Sequence, residues 1–64
     1  MTGITEYDRK SVGKILRGHG TWFGAELLRL IAHADLDNRE KIRLGFPDYV
    51  AAYEAWDRGE VSND

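Results

Sequence analysis

Between Thr21 and Ala34 the chain repeats apolar side chains at helical spacing. Phe23, Leu27, Leu30, Ile31 and Ala34 fall at i, i+4, i+7, i+8 and i+11, with Glu26, Arg29 and His33 on the other side. This is the pattern of an amphipathic helix with one face turned to a core. Gly24 and Leu28 widen the stripe, so the helix is expected to touch neighbours on two sides. Thr21 can accept a hydrogen bond from the free N–H groups of the first turn, which sets the expected helix at 21–34. A chain organised around such an element is all-α.

The flanking stretches supply shorter helices. Val12, Ile15 and Leu16 sit at i, i+3 and i+4 after Ser11 as N-cap, and Gly18 offers a stop, which gives a helix over 11–17. A short strand is the alternative there. Asp37 followed by Glu40 has the form of a capping box and begins a helix over 38–44, which Gly45 ends. Pro47 suits the first turn of the last helix, 47–58, in which Tyr49, Val50, Ala52, Tyr53 and Trp56 are the apolar positions and Gly59 the terminator. Three to four helices with short links build a compact orthogonal bundle. The expected organisation is a flexible N-terminal arm at 1–10, one helical domain at 11–59 and an acidic tail at 60–64.

Length bounds what this bundle can bury. A chain of 64 residues hides only about 60% of the surface that its unfolded state exposes. With no cysteine there is neither a disulfide nor a thiolate metal site to supplement the core, so helix packing and self-association are the remaining means. The opening Met1-Thr2-Gly3-Ile4-Thr5-Glu6 has no basic stretch followed by an apolar one, and the expected location is the cytoplasm. Residues 1–34 carry five Lys/Arg against three Asp/Glu, and residues 35–64 carry four against eight. A net charge of −2 does not suit tight binding to phosphate backbones.

No pattern of reactive residues stands out. His19 lies between two glycines, and His33 sits near the end of the main helix, where the C-terminal dipole favours a cation. Neither has a sequence neighbour of the kind that acid–base or nucleophilic catalysis needs. Counted from Asp35 as a calcium loop, position five is Arg39, position six is Glu40 in place of glycine, and position twelve is Phe46 in place of glutamate. Gly13-Lys14 lacks the upstream glycine of a phosphate loop. The reading is therefore a non-enzymatic protein, with no catalytic residue, cofactor or metal.

Seven aromatic residues are a heavy complement for so small a core, and Trp and Tyr are favoured at interfaces. Trp22 points about 100° away from Phe23 and stands either exposed or as a lid over the first helix. The residues expected to meet a partner are Trp22, Glu26, Arg29 and His33 on the outward face of the main helix, with Glu54 and Asp57 on the acidic last helix. The alternative uses Arg39, Lys41 and Arg43, whose helix follows the main one after a short turn in the outline of a helix-turn-helix. Asp35, Asp37, Glu40 and Asp48 surround that cluster with negative charge, which opposes DNA.

With Thr21-Trp22-Phe23, Leu27-Leu28-Arg29-Leu30-Ile31-Ala32, Ala34-Asp35, Asn38-Arg39, Gly45-Phe46-Pro47-Asp48 and Tyr53-x-x-Trp56, the chain resembles a group of short uncharacterised proteins encoded by phages and prophages. The likeness spans residues 14–59 and carries no site residues. It implies a protein that modulates or inhibits a host or viral macromolecule by binding it. The acidic C-terminal half suits a basic surface on a nucleic-acid-handling enzyme, the net charge disfavours nucleic acid itself, and the sequence is too interrupted by charge for a membrane span. A small DNA-binding regulator is the second expectation.

Overall fold

The computed structural model describes residues 4–60, and these contain helices and no strand. The helices are α1 (Glu6–Lys10), α2 (Val12–Leu16), α3 (Phe23–His33), α4 (Leu36–Gly45) and α5 (Pro47–Asp57). The all-α fold expected from the sequence is present. The described residues hold five helices rather than three or four, because residues 6–10 are helical where a flexible arm is expected. Thr5 caps α1 by accepting from the Asp8 N–H, and the turn is fastened to the core through Asp8, which is only 4% exposed. Residues 1–3 and 61–64 lie outside the described residues, and with them most of the expected acidic tail; Glu60 is exposed and ion-paired with Arg58.

Helix ends follow the local chemistry closely. The Gly18 N–H bonds to the Ile15 carbonyl at 2.9 Å and the His19 N–H to that of Lys14 at 3.3 Å, with Gly18 at φ +110°. The same paired arrangement closes α5, where Gly59 (φ +80°) bonds Trp56 and Glu60 bonds Ala55. Both are Schellman endings, which satisfy last-turn carbonyls through a glycine in the left-handed region. Pro47 stands in the first turn of α5 as expected.

Two caps fall one or two residues from their expected places. Trp22, not Thr21, is the N-cap of α3, with no side-chain cap bond. For α4 the cap is Asp35, whose carboxylate accepts from the Asn38 N–H at 2.9 Å, and the helix begins at Leu36 rather than Asn38. Asp35 and Asp37 both have an amide three residues on, and the earlier one starts α4 two residues sooner.

Val12, Ile15, Leu28, Ile31 and Val50 are the largest fully buried side chains, joined by Ala25, Leu27, Tyr49 and Ala52. Helices α2, α3 and α5 therefore supply the centre. Helix α4 buries no residue completely; it packs on α5, with Ile42 against the core.

The face of α3 turned inward differs from the expected one. Leu27 and Ile31 are buried, but Phe23 is 65% and Leu30 56% exposed, and Ala34 is only partly covered. Gly24, Ala25 and Leu28 take the inner positions instead, so the helix is rotated by about one residue position, or about 100°. Gly24 is the reason. A Cβ there would collide with Asp8 Oδ2 and stand 3.1 Å from the Tyr49 hydroxyl, so the bare backbone at this position is what α1 and α5 pack against.

Candidate docking face on the third helix

The rotation of α3 leaves an outward stripe of unusual composition. Phe23 and Leu30 lie seven residues apart on one side of the helix, and their exposed rings and methyls run along it. Phe23 leans on Phe46, ring centroids 5.7 Å apart, and Phe46 meets Tyr49 edge-on. Beside Leu30 a cleft of about 470 Å³ separates α3 from α4, lined by Leu30, His33 and Ala34 on one wall and Asn38, Lys41 and Ile42 on the other. Its walls are mainly apolar, and its rim presents an imidazole, an amide and an ammonium group. Glu26 and His33 border the stripe, and among the described residues neither side chain has a hydrogen-bond or ion-pair partner. An exposed apolar strip with a polar rim is what protein surfaces use for contact with another protein.

Of the residues expected to meet a partner, Glu26 and His33 are placed on this face. Arg29 is turned inward: its guanidinium donates to the carbonyls of Ile15 (2.9 Å), Gly20 (2.7 Å) and His19 (3.3 Å), closing the end of α2 and the link that follows. Trp22 is 39% exposed, and its contacts lie on α1 and the link after α2 rather than over the helix of Val12, Ile15 and Leu16. Its ring lies 6.0 Å from Tyr7 and edge-on to His19 at 5.7 Å, while its indole N–H donates to Asp8 Oδ1 at 3.0 Å. Tyr7 and His19 share a hydrogen bond of 3.1 Å over the top. The group Tyr7, Asp8, His19, Trp22 thus joins α1 to the α2–α3 link. Sequence reasoning missed Asp8, since a lone carboxylate in a polar stretch gives no signal of burial.

Glu54 is likewise engaged within the chain. Its carboxylate accepts from Arg43 at 2.6 Å and lies 3.6 Å from Arg39, whose guanidinium sits 5.1 Å above the Tyr53 ring. Arg43 also holds Glu40 through two hydrogen bonds. The hydrogen bond from Arg43, with the nearby charges of Arg43 and Arg39, holds the Glu54 carboxyl below the usual carboxylate range, and the same guanidinium lowers Glu40. Arg43 is raised in return, first by its bond to Glu40 and then by that to Glu54. Lys41 is exposed and sits 3.5 Å from Asp37. The three cations expected to face DNA therefore each have a carboxylate beside them, and two of them bind α4 to α5. Asp57 is exposed at the end of α5.

Burial raises the Tyr49 hydroxyl pKa, with a further contribution from the charge of Asp8. Among the described residues no three His, Cys, Asp or Glu side chains are grouped to hold a metal ion, and no helix is long and apolar enough to cross a membrane. Compared with family models, curated proteins and solved structures, the chain matches none.

Proposed function

We propose that this protein is a non-enzymatic interaction module that docks another protein on the outward stripe of α3 and the cleft beside it. The single observation that carries this reading is the exposure of Phe23 and Leu30, two large apolar residues on the helix with the strongest amphipathic pattern of the chain. With Phe23 65% and Leu30 56% exposed, the part left in water forgoes roughly 1–2 kcal/mol of burial for each side chain, which a covering surface recovers. The cleft receives an apolar side chain, and Glu26, His33, Asn38 and Lys41 provide polar contacts at its edge. Action by occlusion of a macromolecule, as the phage resemblance implies, requires only such a surface and no chemistry.

The test is capture from lysate by the full chain, compared with Leu30→Glu. Leu30 is exposed, so its replacement keeps the fold, and circular dichroism verifies that. Proteins retained by the wild type and lost by the variant support this docking face. Identical retention by both sinks it, as does no retention beyond that of a control resin in a chain that also does not self-associate.

A further inference from the structure

The exposed stripe of α3 carries an acid on one side of Leu30 and an imidazole on the other. From its start the outward positions run Phe23, Glu26, Leu30, His33, and then the open end of the cleft at Ala34. Glu26 and His33 are seven residues apart and so lie on the same side of the helix. If a second α3 is laid antiparallel across a two-fold axis beside Leu30, Glu26 of each copy stands opposite His33 of the other. Leu30 meets Leu30 at the axis, and Phe23 reaches the end of the facing cleft, at Ala34 and Asn38. The two-fold operation keeps both members of each Glu26–His33 pair on the same flank of the seam, so both pairs form together. A patch that is its own complement under a two-fold rotation is what an isologous dimer requires.

We propose that the occupant of the docking face is a second copy of this chain, paired through α3 in this antiparallel register. The inference rests on the docking reading above and names its partner. Three observations favour a second copy: the apolar stripe is exposed, the two polar side chains that flank it have no partner among the described residues and are of opposite chemical character, an acceptor and a donor, and a cleft of about 470 Å³ opens beside Leu30 at the C-terminal end of the stripe. The domain is also below the size at which one core is usually sufficient, and self-association is among the means by which such domains gain stability. Helix α3 is about 16 Å long, which places the contact at the small end of specific interfaces.

Sedimentation of the full chain from about 1 μM to about 1 mM, the range of weak specific complexes, reads this directly. The expected mass rises with concentration from 7.3 kDa to twice that value. Leu30→Glu, which places two carboxylates at the axis, weakens association at least 30-fold, as expected for a central position. His33→Glu, which sets carboxylate against carboxylate, weakens it about 10-fold, and the exchange Glu26→His with His33→Glu restores it. Because the chain has no cysteine, Leu30→Cys places the only thiol at the axis and cross-links across it, whereas Glu26→Cys does not. A wild type that stays at 7.3 kDa throughout, an association untouched by Leu30→Glu, or an exchange variant no better than His33→Glu overturns the proposal. A monomeric chain that still retains lysate proteins through Leu30 leaves the docking face standing and removes the second copy; a chain that does neither removes both.

Discussion

The Trp22 indole N–H donates to Asp8 Oδ1 at 3.0 Å, a side-chain hydrogen bond between residues fourteen apart that ties α1 to the entrance of α3. The acceptor is a carboxylate with 4% exposure. A buried carboxylate oxygen deprived of its donor costs more than the bond itself contributed, about 1–3 kcal/mol or above. The same bond explains how a five-residue helix with one buried side chain keeps its place.

Trp22→Phe keeps most of the ring and removes the donor. It is expected to lower stability by about 2 kcal/mol, which for a domain of this size is about 8–16 °C in Tm. A double-mutant cycle with Asp8→Ala separates the bond from the packing. A coupling energy near zero contradicts the role assigned to the pair.

Gly24→Ala adds a methyl that collides with Asp8 Oδ2. Ala is favoured over Gly inside a helix by about 1 kcal/mol, so a helix with an open face there gains stability. Here the overpacking, about 1–3 kcal/mol, exceeds that gain. The expected result is a lower melting temperature, and a higher one contradicts the close approach of α1.

Arg29→Met retains the aliphatic stem and removes three hydrogen bonds, to Ile15, His19 and Gly20. Hydrogen bonds to a charged group are each worth about 1.5–3 kcal/mol when both partners are well placed, and less where solvent reaches them. A loss of about 2 kcal/mol is expected, with faster amide hydrogen exchange at Gly18 and His19. Unchanged exchange in that link is incompatible with Arg29 as its clasp.

Glu54 gives the acid limb of stability its sign. Arg43 and Arg39 lower its pKa in the folded protein, so its contribution is fully present above the unfolded value near 4.5 and is lost as pH falls through the lowered folded value. Glu54→Gln removes that contribution at neutral pH. In urea denaturation the wild type and variant are expected to differ at pH 7 and to converge as the pH drops below about 4. Parallel curves down to pH 2.5 contradict the pairing.

Much of this was legible residue by residue. Gly18 and Gly59 end helices because only a left-handed residue closes a Schellman turn without strain, and Pro47 begins one because its missing N–H costs nothing there. Such signals act over a few residues and are written in the chain. The choice between Asp35 and Asp37 as cap was less legible, since each satisfies the same local rule. Arg29 was misplaced for a different reason: its partners are carbonyls nine to fourteen residues away, and no periodicity records them.

By itself, then, the sequence determined the helical class, most helix ends and the strongly patterned helix at the centre, because propensity, capping and periodicity are local. Only the tertiary structure decided which face of that helix is inside. The pattern put Phe23 and Leu30 in the core by hydropathy, yet the space beside Gly24, filled by Asp8 and Tyr49, turned α3 until they faced outward. A residue without a side chain contributes nothing to a hydrophobic count and everything to how closely another helix can approach. The docking face exists as a consequence of that approach.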